Sequence, residues 1–368
     1  MTRAAVVAEV GQPFTIEDVE LDDPRPDEVR VRVVSSGICQ SDMGAARGHF
    51  PFPLPGVLGH EGAGVVEAVG SAVGLTSVGD RVLLSYSLCG RCRWCRSGHP
   101  AYCVGHVTRN LLDGRRPDGS ATIQQGGRDL GCHFFGQSSF AEQAIVHESS
   151  LVVLPDDVTE AELPVLAPLV CGVQAGAGAV VNVLRPGLGD LLVIAGAGGV
   201  GLSAVMATRW SRPRLVVVVD RVPSRLELAR ELGADVVIDT STEDMYERLM
   251  ELSDGEGVDI AIDTTGHIPT LEGLIAALAI RGRCAAVGVP PLGAKASFDV
   301  MPFVSGRSVQ GIAAGDCEPS TFLPQLVDRV RKGDLPIERL QRRYAFEDIN
   351  RAVDDAASGA TIKPILMF

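Results

Sequence analysis

Four of the nine cysteines in this 368-residue chain fall inside one stretch, CGRCRWCRSGHPAYC. Cys89, Cys92, Cys95 and Cys103 follow the pattern C-x2-C-x2-C-x7-C, in which short steps let successive thiolates turn toward one point. Four thiolates around one tetrahedral ion make a closed, all-cysteine zinc site with no place for water or substrate, so it would stabilise a loop and not catalyse. A dense cysteine-only set also suits an iron–sulfur cluster, and metal content separates the two. A second candidate set lies in SSGICQSDMG, GVLGHEGAGVVEAVG and APLVCGVQAG. There Cys39, His60 and Cys171 supply two thiolates and one imidazole, which leaves one coordination place open for a reactant. Asp42 would accept the second ring N–H of His60, as carboxylates behind metal-bound histidines do. Glu61 stands next to the histidine and would reach the metal when substrate is absent. Taken alone, Cys171 in its apolar segment reads as a small buried side chain; its companions change that reading.

A third constellation is LLVIAGAGGVGLSAVMATRWSRPRLVVVVD, residues 191–220. An apolar strand runs into Gly196, Ala197, Gly198, Gly199, Val200 and Gly201, a helix follows, and a second apolar strand ends at Asp220. G-x-G-x-x-G between strand and helix, with an acid about 20 residues on, is a dinucleotide fingerprint. The glycines let the backbone approach a pyrophosphate at the helix N-terminus, and the acid binds ribose hydroxyls. Asp220 would repel a 2′-phosphate and favours NAD, while Arg221 beside it keeps NADP open.

These residues must be held by a larger frame. Beyond residue 220, strand-like VVIDT, DIAIDTTG and CAAVGV alternate with helix-like segments, a rhythm that predicts an α/β fold with a doubly wound parallel sheet. Residues 173–313 would form this dinucleotide domain. Residues 1–172 and 314–368 would form a catalytic domain carrying both metal sites, with a cleft between the two. No internal repeat or low-complexity linker interrupts the chain.

With 33 Lys+Arg against 46 Asp+Glu, the formal charge of −13 repels a phosphate backbone and excludes nucleic acid as an expected partner. The N-terminal MTRAAVVAEVGQPF has too short an apolar run for a secretory core, so a cytoplasmic protein is expected. The uncharged stretches 163–184 and 191–208 are long enough to suggest membrane spans. Pro164, Pro168, Gln174 and Asn182 in the first and the glycines of the second argue against this, and no membrane association is expected.

GHEGAGVVEAVG and the later VGDRV closely resemble the signature of the zinc-dependent medium-chain alcohol dehydrogenases. SGICQSD and the four-cysteine knot fit the same family in order and spacing, so the resemblance covers essentially the whole chain. It implies a GroES-like, mostly-β catalytic domain beside a Rossmann domain, two zinc ions per chain, NAD as cofactor, and a homodimer or homotetramer. In the implied mechanism a substrate hydroxyl takes the fourth place on the catalytic zinc, Ser41 receives its proton, and a hydride moves to the nicotinamide. The plain alternative for Ser41 is a helix N-cap. The resemblance also places Lys363 at a basic position near the pyrophosphate, and Arg225 and Val289 among the cofactor contacts.

Two positions depart from the family pattern. Many members carry a histidine where this chain has Gly44, so proton exit must use another route. Gln40 stands where others place Arg or His beside the first zinc ligand. LSYSLCGRCRWCRSGHPAYC and GCHFFGQSSFAEQAIV most resemble the aryl-alcohol (benzyl alcohol) and geraniol dehydrogenase branch. By that likeness Phe134, Phe135 and Val289 line the substrate channel, with Ser85, Ala313 and Ala314 small; core packing is the alternative for the two phenylalanines. The polar segment 108–131 has no assigned contact. Two other readings stand beside alcohol oxidation: a zinc-retaining reductase of an activated C=C, C=N or ketone, and a catalytically silent zinc- and nucleotide-binding protein.

Overall fold

The computed structural model of the chain, which describes residues 1–368, divides into two units, Met1–Cys171 with Glu318–Phe368, and Gly172–Cys317. In the first unit the chain forms β1 (Thr2–Val7), β2 (Phe14–Leu21), β3 (Glu28–Gly37), the short helix α1 (Gln40–Ala46), β4 (Gly56–Val57), β5 (Glu61–Val69), β6 (Arg81–Leu84), β7 (Ile123–Gln125), β8 (Arg128–Asp129), β9 (Gln143–His147) and β10 (Leu151–Val153). One sheet runs β4-β1-β2-β7-β8 and a second begins β10-β6-β5-β3, with β9 also paired to β3. The logic of β3 is visible in its sequence: Val29, Val31 and Val33 alternate with Arg30 and Arg32, and side chains two apart share a face. The valines are buried with Val66, Val82, Leu84 and Val146, while Arg32 reaches outward to Glu160 at 2.9 and 3.0 Å. A separate core around Phe14, Phe52, Phe134 and Phe140 packs against the first sheet.

The polar segment 108–131 is pinned by buried groups. Arg116, 2% exposed, forms a two-pronged pair with Glu28 at 2.7 Å and also reaches Asp22 at 2.6 Å and the Ala121 carbonyl at 3.0 Å. Burial disfavours the Glu28 carboxylate, but Arg116 outweighs it and holds the pKa below the ordinary value. Asn110 accepts the Ser87 N–H at 2.8 Å and donates to the Ser87 and His106 carbonyls, joining this segment to the chain just before Cys89.

The second unit carries β11 (Leu191–Ala195), β12 (Leu215–Asp220), β13 (Val236–Asp239), β14 (Val258–Asp263), β15 (Leu278–Ala286) and β16 (Ser308–Gly311). They form one parallel sheet in the order β13-β12-β11-β14-β15-β16. LLVIA of β11 is buried at every residue, as a central strand covered on both faces must be. Gly201, in the first turn of the helix Gly199–Ala207, is required by close approach: a Cβ there would lie 1.7 Å from the Gly196 carbonyl oxygen. The two uncharged stretches that could have spanned a membrane break here into short helical turns, and into β11 plus its helix. No single helix is long and apolar enough to cross a membrane.

After the second unit the chain returns to the first through the helix Pro319–Arg331 and the strands β17 (Gln341–Ala345) and β18 (Lys363–Met367). β18 pairs antiparallel with β3, Ile365 opposite Gly37, and extends the second sheet to β10-β6-β5-β3-β18-β17.

Candidate active site

β3 and β5 pair antiparallel with Gly37 opposite Glu61, so the end of β3 and the start of β5 bring Cys39 and His60 to one edge of the sheet. Cys39 is the N-cap of α1 and Asp42 its third residue; the Cys39 N–H donates to Asp42 Oδ2 at 2.8 Å, closing a capping box. The helix end is therefore satisfied without Ser41, which lies within the first turn, half-buried, with its hydroxyl not used as the cap. Asp42 is fully buried. Its Oδ1 accepts the Gly59 N–H at 3.1 Å and meets His60 Nδ1 at 2.8 Å. That contact keeps the ring proton on Nδ1 and turns the Nε2 lone pair toward Cys171 Sγ, 3.1 Å away.

The sulfurs of Cys39 and Cys171 are 3.7 Å apart. Two thiolates bound to one zinc at about 2.3 Å in a tetrahedron lie about 3.8 Å from each other, so the spacing fits. The donor atoms of Cys39, His60, Glu61 and Cys171 all lie within 4.8 Å of one another. Electrostatics match this arrangement. A hydrogen bond from Cys171 and the nearby Lys363 ammonium hold the Cys39 thiol well below its ordinary pKa, and the shared proton pushes Cys171 correspondingly up. Burial opposes charge on His60, but the Asp42 carboxylate outweighs it and raises its pKa. Burial raises Glu61, opposed by Lys363.

Lys363, which the resemblance places near the pyrophosphate, has its ammonium on the carboxylate next to the ligand histidine. It is buried, donates to Glu61 Oε1 at 2.6 Å and reaches the Ile38 carbonyl at 3.3 Å. Pairing with Glu61 keeps it charged in spite of burial. The other carboxylate oxygen, Glu61 Oε2, is buried with no protein partner, which is the condition of an atom able to serve a cation. Sequence reasoning did not anticipate the Glu61–Lys363 pair, because only the register of β18 on β3 brings the two together.

Phe135 and Phe134 differ in position. Phe135, half-buried and in a left-handed conformation at φ 51°, stacks on the His60 ring with centroids 4.4 Å apart. Phe134 is fully buried and meets Phe52, His60 and Phe135 edge-on, so it braces the histidine from within the core. Gln137, which sequence reasoning passed over, donates to the His60 carbonyl at 3.0 Å and the Leu84 carbonyl at 2.9 Å, and accepts the Gly62 N–H at 3.0 Å. Ser85 is buried with its hydroxyl unpartnered.

The four-cysteine centre is more exposed, with only Cys103 buried. Cys92 and Cys95 sulfurs are 3.5 Å apart and Cys89 and Cys95 3.9 Å, again the spacing of a tetrahedral thiolate site. Backbone N–H groups of Cys92, Cys95 and Cys89 point at the sulfurs of Cys89, Cys92 and Cys103 at 3.4–3.5 Å. Donors of this kind favour the thiolate and bring Cys92 down to about 6. All four positions are filled by protein, so the centre is closed.

In the dinucleotide unit, Asp220 Oδ2 accepts the Ala197 N–H at 2.6 Å, and Oδ1 accepts the N–H groups of Arg221 at 2.7 Å and Val222 at 3.0 Å. The carboxylate thus shapes the glycine turn, and Gly198 caps the helix behind it. Arg225 is half-buried on the next helix with its Nε free. Val289 is 70% exposed, and Ala313 and Ala314 are half-buried.

Comparison with known proteins follows the same division. Residues 25–156 match the alcohol dehydrogenase GroES-like domain, and residues 199–332 match the zinc-binding dehydrogenase family. The chain is 39% identical over 367 residues to geraniol dehydrogenase of Castellaniella defragrans, covering 100% of this chain and 97% of that one. It superposes on the benzyl alcohol dehydrogenase of Acinetobacter calcoaceticus with a TM-score of 0.95 and 40% identity, covering 100% and 99% of the two chains. An alcohol dehydrogenase zinc-binding domain protein from Burkholderia ambifaria gives a TM-score of 0.96 and 44% identity over 100% and 98%.

Proposed function

Since the chain belongs to the zinc-dependent medium-chain alcohol dehydrogenases, we propose that it interconverts bulky aryl or allylic primary alcohols and their aldehydes with NAD. The observation that carries this reading is the open donor set of Cys39, His60 and Cys171 with the Phe135 ring lying on its histidine. An aromatic face at the metal ligand suits a flat, unsaturated substrate, and two of the similar proteins are named for geraniol and benzyl alcohol.

Zinc held by Cys39, His60 and Cys171 would polarise the substrate oxygen and ease loss of its proton. The chain's own residues do the rest. Asp42 fixes the His60 tautomer, Lys363 holds the Glu61 carboxylate by one oxygen, and Ser41 at the start of α1 receives the hydroxyl proton. Cys89, Cys92, Cys95 and Cys103 would hold the second, structural zinc. In the dinucleotide unit the turn from Gly196 to Gly201 would admit the pyrophosphate, and Asp220 would bind ribose hydroxyls while excluding a 2′-phosphate. Arg225 and Val289 would flank the cofactor, Ser85 and Phe135 would meet the substrate in the metal-bearing unit, and Val289 and Ala313 are substrate contacts by the family resemblance alone.

The test is a panel of benzyl alcohol, geraniol and ethanol followed by nicotinamide absorbance with NAD and with NADP. Each buried methylene contributes about 1–3 kcal/mol, so the unsaturated alcohols should exceed ethanol in kcat/KM by several decades. Asp220→Ser should cost NAD roughly 10–100-fold in affinity, the scale of a charged hydrogen bond, and narrow the preference over NADP. Equal efficiency with ethanol, or a wild-type preference for NADP, would overturn the reading.

A further inference from the structure

We propose that His49 is the proton-exit residue of this enzyme, its imidazole occupying the face of α1 that Gly44 leaves bare. The inference rests on the alcohol-oxidation reading above and extends it to the route by which the substrate's proton reaches solvent.

Residues three apart on a helix share a face, so Gly44 lies one turn beyond Ser41 along α1. A glycine there leaves a notch. How that notch is filled follows from the way α1 ends. Gly48 adopts the left-handed conformation at φ 77°, the Gly48 N–H donates to the Ala45 carbonyl at 3.0 Å, and the His49 N–H donates to the Gly44 carbonyl at 2.8 Å. This paired arrangement is the Schellman termination, which folds the chain back on the last turn and sets the residue after the glycine against the one five before it. Here those two residues are His49 and Gly44. The turn cannot readily be built otherwise, since a Cβ on Gly48 would come within 2.9 Å of Val10.

The result is a side chain from the returning chain in place of one from the helix. A Cβ built on Gly44 would lie 3.5 Å from His49 Nδ1 and 3.2 Å from the Phe50 ring. Gly44 itself is buried, whereas His49 is exposed to solvent. An imidazole with one nitrogen toward the buried notch and the rest of its ring in water is suited to carry a proton outward, because its two nitrogens can take a proton on one side and release one on the other. Cβ positions one turn apart are separated by about 5–6 Å, a gap from Ser41 to the ring that one or two waters would span.

The alcohol O–H bond breaks and its proton passes to Ser41, whose own proton moves through water to a ring nitrogen of His49; His49 then releases a proton to solvent. The carbinol C–H bond breaks with its electron pair going to oxidised NAD. The net change is alcohol and NAD to aldehyde, NADH and one solvent proton.

The experiment uses the zinc-loaded enzyme with His49→Ala and His49→Gln, oxidising benzyl alcohol or geraniol in dilute buffer and read as a single-turnover transient so that product release does not mask the step. Both variants should slow by about 10-fold or more, since positioned proton transfer contributes about 10²–10⁴-fold and water recovers part of it. Added imidazole should restore His49→Ala in proportion to its concentration and leave the wild type unchanged, with zinc content and NAD affinity equal in all three. Unaltered transients in both variants would overturn the proposal, as would slowed variants that imidazole does not rescue, because that result describes a structural role. Failure of the underlying reading is distinguishable: the wild type would then oxidise no alcohol in the panel, before any variant is compared.

Discussion

The closed and open metal centres of this enzyme are built in opposite ways. Cys89, Cys92, Cys95 and Cys103 come from one short stretch, lie largely at the surface, and are tuned by backbone N–H groups of the same stretch. Cys39, His60 and Cys171 are drawn from three distant segments, and the charge next to them is set by Lys363, 302 residues from the Glu61 it pairs with. A centre that must only hold its metal can be local. One that must leave a coordination place open needs walls and charges supplied by several elements, because each ligand that is not cysteine or histidine from the same loop has to be oriented from outside.

That contrast can be broken most forcefully at the ligands. Cys39→Ser should lower turnover by about 10³-fold or more, the equivalent of the several kcal/mol that a Lewis acid contributes, with the fold intact and zinc reduced to about one per chain. Cys92→Ser should do the reverse, lowering the melting temperature by several degrees while the remaining folded enzyme turns over normally at low temperature. Metal analysis, calorimetry and steady-state rates check both. An active Cys39→Ser protein, or a stable but inactive Cys92→Ser protein, would show that the two centres are not divided as described.

A smaller effect isolates the remote charge. Lys363→Met leaves the buried Glu61 carboxylate without its cation, and breaking a buried pair costs about 3–5 kcal/mol. Chemical denaturation should record that loss, and Lys363→Arg should recover part of it. Unchanged stability in Lys363→Met would mean that the open centre does not depend on the C-terminal strand.

The smallest expected effect lies behind the aromatic support of the open centre. His133 precedes the two phenylalanines that contact His60; burial lowers its pKa to about 4 from an ordinary 6.5. A buried neutral histidine contributes its full stability above about pH 6.5 and loses it as the pH falls toward 4, because the unfolded chain takes up the proton first. The shift corresponds to at most about 3 kcal/mol. His133→Asn, which tolerates the left-handed conformation at this position (φ 59°), should flatten the dependence of stability on pH between 6.5 and 4. An unchanged slope would remove His133 from the account.

What could be read in the sequence follows the same local-versus-distant line. C-x2-C-x2-C-x7-C and the strand–glycine–helix fingerprint ending at Asp220 are contiguous signals, and the parallel sheet followed from the βα alternation after them. Asp42 and His60 were legible as a pair by chemistry, although 18 residues separate them. Lys363 on Glu61 was not legible, since it depends on which edge of β3 the strand β18 joins. Arg116 was equally silent: a polar loop rich in Gly, Arg and Asp carries no periodicity, and its buried pair with Glu28 exists only after tertiary packing. Phe134 and Phe135 are adjacent, identical in type and both against the ligand histidine, yet Phe134 is fully buried and edge-on while Phe135, in a left-handed backbone, is half-buried and stacks on the imidazole face.

The pairing of β18 with β3 also bears on how the enzyme is made. The dinucleotide unit is a single uninterrupted segment, Gly172–Cys317, and can build its sheet while the chain is still being synthesised at about 5–20 residues per second. The metal-bearing unit cannot, because β3 emerges early and waits for β18 across more than three hundred residues of intervening chain. Until then Glu61 has no cation, and the Ser35–Gly37 end of β3, beyond the residues paired with β9, remains an open edge able to pair with another nascent chain. The three ligands of the open centre are all in place once Cys171 is made, whereas the charge that holds Glu61 arrives last of all, with Lys363 on the final strand.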